Sequence, residues 1–241
     1  MMKVDCDCIL LDIEGTTSSV SYVYDEMFPF VRNELSEFLA ANWGTESLNE
    51  SIQLIAADAE LENWPDTSLA EAEQVQQVAA EVLRQMDNDM KVTGLKNLQG
   101  KIWKSGFESG ALQAHVYEDV LPALDGWKAA NKDIRIYSSG SVQAQLLFFG
   151  HTIVGNLLDR FSAHYDTKVG GKKESPSYVH IAGEAGLDPA RILFVSDIVA
   201  ELDAAREAGL QTALSLRPGN AEVASDHSHP AISSFAEIEL A

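Results

Sequence analysis

Short apolar runs alternate with helical patterns through the C-terminal half of the chain, and that alternation restricts it to a parallel sheet covered by helices. The runs Ile134–Ser138, Phe161–Tyr165, Arg191–Ser196 and Gln211–Leu216 read as strands, with Cys6–Asp12 as another near the N-terminus. Helical patterns separate the last four, at Val142–Gly150, Pro176–Ala185 and Val199–Ala208, with Gly186 and Gly209 placed as C-terminal stops. Parallel strands joined this way need helices on both faces. Ligands of such α/β sheets bind beyond the carboxyl ends of the strands.

The first and second strands are separated by far more than the dozen residues that a crossover needs. From about Ser21 to His115 the pattern is helical throughout: Tyr24–Trp43, Leu48–Glu62, Leu69–Met90 and a fourth around Leu98–Leu112. In the third, Leu69, Ala72, Val75, Val78, Ala79, Val82, Met86 and Met90 recur at helical spacing. The expected organisation is a core made of residues 1–20 and 116–241, with residues 21–115 as an all-helical cap domain. An insertion at that point belongs over the strand ends, as a lid.

Thirty-seven acidic against seventeen basic residues give a formal charge of -20. Such a chain is a poor partner for nucleic acid or an anionic membrane, which are bound by basic patches. A small phosphorylated substrate is still permitted. Surface charge is screened beyond ~8 Å, whereas one cation at ~4 Å contributes ~4 kcal/mol per charge pair at an effective dielectric of about 20. No apolar run approaches the ~18 residues of a membrane helix. The N-terminus carries no basic region followed by a long apolar stretch, and a cytoplasmic location is expected. Cys6 and Cys8 fall on one face of a strand and read as structural. His227 and His229 fall in a segment, Pro218–Pro230, that reads as a solvated loop.

Polar clusters stand at the strand ends. "LLDIEGTT" carries Asp12 and Glu14, with Thr16 at a turn; "IYSSGS" carries Ser138 and Ser139 before Gly140. "TKVGGKKES" carries Lys168, Lys172 and Lys173, and "LFVSDIVAE" carries Asp197 with Glu201 one helical turn later. A phosphoryl-transfer site needs each of these types. A carboxylate can attack phosphorus and divide one hard step into two. Asp12 and Asp197, from two strand ends, can hold a Mg²⁺ ion that neutralises the meeting of two anions. Ser138 and the amides of Ser139 and Gly140 can bind phosphoryl oxygens. A lysine can neutralise charge, and Glu14 can protonate a leaving group.

An Asp-x-(Asp/Glu)-Gly-Thr element, a Ser element, a Lys and an acidic element, in that order, resemble the haloacid dehalogenase-like hydrolases. The blocks "DIEGTTSSVSYVYDEMFPFVR", "LQGKIWKSGFESGAL", "VYEDVLPAL", "IYSSGSVQAQLLFFG", "DTKVGGKKESPSY" and "LRPGN" resemble more closely the enolase-phosphatases of methionine salvage. The resemblance runs over nearly the whole chain. It implies a Rossmann-like core with a helical cap, one Mg²⁺ per chain, and a monomer without nucleic-acid or membrane partners. It implies enolisation and then dephosphorylation of 2,3-diketo-5-methylthiopentyl-1-phosphate, the alternative being another small phosphate ester. Position by position, it makes Asp12 the nucleophile and a metal ligand. Glu14 becomes acid/base through its side chain and metal ligand through its carbonyl, and Asp197 the remaining ligand. Lys172 aligns with the motif lysine, with Lys173 adjacent. Thr16, Ser138, Ser139 and Lys172 form the implied substrate-binding set. Trp103 and Phe107 are expected in the cap core, with a pocket for the methylthio end as the alternative. A phospho-accepting receiver module uses similar residues, but it needs no cap.

Overall fold

The computed structural model describes residues 1–224 and 227–241. Two compact units emerge: Met1–Val23 with Gln113–Ala241, and Tyr24–Leu112.

The first unit is built on a sheet of strands β2 (Cys8–Leu11), β3 (Asp133–Tyr137), β4 (Ala163–Tyr165), β5 (Ile192–Ser196), β6 (Gln211–Ser215) and β7 (Ala231–Ile232). They lie in the order β4-β3-β2-β5-β6-β7, and every pairing is parallel. The earliest strand sits at the centre: Leu11 is in register with Ile136 on one side and Val195 on the other. Both faces of β2 and of β5 are buried, so they carry apolar residues at consecutive positions rather than alternate ones. Helices Val142–Gly150, Ser175–Ala185 and Val199–Glu207 follow β3, β4 and β5. Gly186 closes the middle one in the left-handed conformation that a side chain disfavours. Tyr178, Phe194, Leu202 and Leu214 meet in the core between sheet and helices.

Three features departed from expectation. Helix Val120–Ala129 precedes β3, and strands β1 (Met2–Val4) and β8 (Ile238–Leu240) pair in a sheet of their own. Elements of two or three residues leave too little periodicity to read. His229, expected on a solvated loop, is 5% exposed. Its Nδ1 meets Thr212 Oγ1 at 2.8 Å and its Nε2 meets Asp203 at 3.0 Å, so it ties the loop to β6 rather than facing solvent. Ser225 and Asp226 of the same loop lie outside the described residues. Cys6 and Cys8 are buried free thiols.

The second unit contains helices Phe28–Asn42, Glu46–Asp58, Glu71–Asp87 and Thr93–Ser109. Val31, Leu35, Ile55, Val78, Val82 and Leu98 form its core. Ala72, read as part of the apolar stripe, is exposed because it stands in the first turn of its helix. Trp103 packs against this core and donates its indole N–H to the Met27 carbonyl at 2.9 Å; Phe107 is 3% exposed. No helix among the described residues is long and apolar enough to cross a membrane.

Candidate active site

Asp12 is the first residue beyond β2, where its own N–H still donates to Val195 O of the neighbouring strand at 3.0 Å. The chain then turns sharply. The N–H groups of Thr16, Thr17 and Ser18 all donate to Ile13 O, at 3.2, 2.9 and 2.9 Å. Gly15 makes the turn possible, with φ at +68°; a Cβ there would lie 2.3 Å from Asp197 Oδ2.

Asp12 is 3% exposed, and its Oδ1 accepts from its neighbour's N–H (Ile13) at 2.8 Å. The same oxygen lies 2.6 Å from Lys172 Nζ. Lys172 is 8% exposed and reaches Glu201 Oε2 at 2.7 Å. Its position is set by the glycines before it. Gly170, at φ +132°, lies so close to Ser177 that a Cβ would fall 2.2 Å from the hydroxyl. Tyr137 OH donates to Gly170 O at 2.9 Å, and Tyr178 OH donates to Lys172 O at 2.5 Å. Lys168 and Lys173 are both exposed, which separates them from this cluster.

Ser138 follows β3 directly and is 1% exposed. Its hydroxyl donates to Glu14 Oε2 at 3.4 Å and accepts from Gly140 N–H at 3.2 Å. The next helix starts at Val142, as its sequence pattern predicts, with Ser141 as its N-cap. The amides of Ser139 and Gly140 thus precede the helix rather than open it, and Gly140's is turned onto Ser138. Ser139 is exposed. Thr16, expected at the substrate, is wholly enclosed in the turn; its carbonyl accepts from Arg217 Nε at 3.2 Å.

Glu14, Asp197 and Glu201 share the field of Asp12 and of one ammonium, and their protonation reflects it. Burial, then the charge of Asp12, pushes the Glu14 carboxyl up; its own backbone and Lys172 oppose this. Asp197 is pushed up to about 7 by burial, then by Asp12 and Glu201. Burial and Asp12 also raise Glu201, against Lys172 and a 2.9 Å bond from Ser196 Oγ. For Lys172, burial opposes the charged form, but Asp12 and Glu201 overcome it and hold it firmly protonated. The bonds of Lys172 go to Asp12 and Glu201, and Glu14 is displaced toward its acid form.

Among the described residues no three His, Cys, Asp or Glu side chains form a group that could hold a metal. A mixed set fits better. The Asp12 and Asp197 carboxylates are hard oxygen donors, and the turn after Asp12 leaves one peptide oxygen without a donor among the described residues. The carbonyls of residues 12, 13, 15 and 16 all accept hydrogen bonds from described residues, whereas Glu14 O accepts none from them. Two carboxylates, a carbonyl and waters suit a hard divalent cation. A cavity of about 640 Å³ opens along Leu216–Val223, but Asp12, Glu14, Lys172 and Asp197 do not line it.

Glu201, Ser196, Ser215, Arg217 and Asn220 were not assigned from sequence. For Glu201 the signal was its spacing from Asp197, one turn into the helix after β5. For Arg217 and Asn220 it was the block "LRPGN".

Residues 6–209 match the family described as haloacid dehalogenase-like hydrolase. A curated relative named Enolase-phosphatase E1, from Drosophila persimilis, is 43% identical over 237 residues, covering 95% of this chain and 93% of that protein. Another of that name, from Synechococcus elongatus, is 44% identical over 229 residues, covering 92% and 93%. The crystal structure of the UTR4 protein of Saccharomyces cerevisiae superposes with a TM-score of 0.78 at 31% identity, covering 97% of this chain and all of that one. The chain therefore belongs to the haloacid dehalogenase-like hydrolases and, within them, to the enolase-phosphatase E1 family.

Proposed function

We propose that this protein is a cytoplasmic, Mg²⁺-dependent enolase-phosphatase. It converts 2,3-diketo-5-methylthiopentyl-1-phosphate to the acireductone 1,2-dihydroxy-3-keto-5-methylthiopentene and phosphate, in methionine salvage. The observation that carries the reading is a buried Asp12 held on Lys172, with the Glu14 carboxyl on the adjacent turn, in a chain 43% identical to a named enolase-phosphatase E1. Another phosphate ester would need the same Asp12 and Lys172, but it would give Glu14 only half of its work.

Asp12, the carbonyl of Glu14 and Asp197 hold the cation, which when bound supplies the positive charge that lets a carboxylate approach a phosphate dianion. Glu14 first takes a proton from C1 of the diketone, and the C2 oxygen takes one from solvent water as the enol forms. Glu14, now protonated, passes its proton to the ester oxygen while an oxygen of Asp12 bonds to phosphorus and the ester bond breaks. Glu14 then deprotonates the water that cleaves the aspartyl-phosphate. A carboxyl that burial and the charge of Asp12 have pushed up is suited to alternate between these roles. Lys172 holds Asp12 in place and offsets charge on the phosphoryl group, beside which Ser138 and Ser139 stand.

Glutamate at position 14 exceeds aspartate by one methylene, roughly 1.5 Å of reach per C–C bond. That reach matches the step from the ester oxygen to C1. Glu14→Asp is expected to slow enolisation on the order of 10²-fold, the size of a ~1 Å misplacement, and to slow hydrolysis of pre-formed enol phosphate much less. Enol absorbance and phosphate release, followed together, measure the two steps. Equal losses would show that the added reach serves neither.

The cation has a stability signature. Asp197 has an ordinary value of 3.8 and is pushed up to about 7 in the fold, so the folded state binds its proton more tightly than the unfolded state does. Metal-free protein therefore loses stability as pH rises across that window. The melting temperature gained on adding Mg²⁺ should grow over the same range, and Asp197→Asn should abolish the growth. Full phosphate release in excess chelator would overturn the metal assignment.

A further inference from the structure

Three side chains from one short segment at the end of β6 grip the turn that carries Glu14. Ser215 Oγ donates to Gly15 O at 3.0 Å, Arg217 Nε donates to Thr16 O at 3.2 Å, and Asn220 Nδ2 donates to Gly15 O at 2.9 Å. Asn220 Nδ2 also donates to Ser215 O at 3.1 Å. Both of its partners are carbonyls, which only accept, so the amide cannot be turned round. Its oxygen is thereby fixed on the opposite side. That oxygen is buried and has no partner. A Cβ built on Gly15 would lie 2.3 Å from Asp197 Oδ2 and 2.9 Å from Asn220 Oδ1, so the two oxygens border one spot beside the turn.

Two acceptors facing one spot are costly to bury without a donor. No neighbouring side chain supplies one: Lys172 is engaged by Asp12 and Glu201, Arg217 spends Nε and Nη1 on Thr16, Asp119 and Ser233, and neither Arg217 Nη2 nor Thr16 Oγ1, themselves without a partner, reaches Asn220 Oδ1. A water molecule on a divalent cation is a strong donor with two protons, and carbonyl and amide oxygens are suited to hold such waters. We propose that Asn220 supports the cation through one of its waters, its Oδ1 accepting a hydrogen bond from that water while its Nδ2 fastens the Glu14 turn. This rests on the cation site proposed above and adds to it the role of the "RPGN" segment: that segment couples the turn's geometry to metal affinity.

The test is calorimetric titration of the substrate-free protein with Mg²⁺ alone, on wild type and three variants, with thermal melts in chelator to report folding. Loss of an outer-shell partner typically weakens metal affinity about 10- to 100-fold, and that is the weakening expected for Asn220→Ala. Asn220→Asp keeps an oxygen toward the water but sets a carboxylate against two carbonyls. Its affinity should stay within about threefold of wild type while its melting temperature falls, which separates the two halves of the side chain. Ser215→Ala removes the other side-chain donor to the same Gly15 carbonyl and leaves Asn220 Oδ1 alone, so affinity should again stay within about threefold. Wild-type affinity in Asn220→Ala overturns the proposal, as does equal weakening in Asn220→Ala and Ser215→Ala, which would make the role one of fastening only. If Asn220→Ala does not fold, loss of Mg²⁺ affinity in Asn220→Asp overturns it instead. A wild-type protein that binds no Mg²⁺ would remove the cation site itself.

Discussion

Asp12→Asn is expected to fold and to release phosphate at a rate on the order of 10⁴-fold or more below wild type, the scale seen when a nucleophile is removed. The amide has nearly the shape of the carboxylate but cannot form the acyl-phosphate. The fold should hold because Lys172 keeps a carboxylate partner in Glu201 at 2.7 Å. The Glu14 carboxyl is unchanged, bonded to Ser138, and should still take the C1 proton, so enol phosphate should accumulate. Enol absorbance rising without phosphate release is the expected record. Phosphate released at the wild-type rate would exclude a covalent mechanism through this residue.

Lys172→Met should be costly in a different way. It keeps the length of the side chain and removes the ammonium that lies between Asp12 and Glu201. Breaking a buried pair by deleting one partner typically costs about 3–5 kcal/mol, because the other charge stays buried and uncompensated. Here two carboxylates are left. Glu201, already raised by burial and by Asp12, escapes the penalty by taking up a proton, so its folded-state value rises further above that of the unfolded chain. The loss of stability should then be small in acid and grow as pH rises through neutrality. Urea midpoints for both proteins at about pH 5.5 and about pH 8 measure this, and an equal loss at both would contradict it. Phosphate release should fall by roughly 10²- to 10³-fold, the scale of losing one preorganised charge stabiliser.

The two variants probe residues that the sequence displayed to different degrees. Asp12 was legible because β2 is short and apolar, and a carboxylate after such a strand must emerge at the carboxyl end of a parallel sheet. The alternation of strands and helices, and the long helical stretch between β2 and β3, were legible for the same reason: periodicity of two and of 3.6 survives in one dimension. Lys168, Lys172 and Lys173 look alike in sequence. Only the folded turn, with Gly170 pressed on Ser177 and Tyr178 bonded to the Lys172 carbonyl, buries one of them and leaves the others in water. His229 and Glu201 were obscured in the same way, since a polar residue in a loop or on a helix shows no sign in sequence of being buried. The ionisation of the site belongs wholly to the tertiary structure. A charge acts through distance, and the fold brings Asp12 and Glu201 to Lys172 ahead of Glu14. Local pattern determines which elements form and what stands at their ends. Which of those groups are desolvated together, and so what their protons do, depends on packing between residues nearly two hundred positions apart.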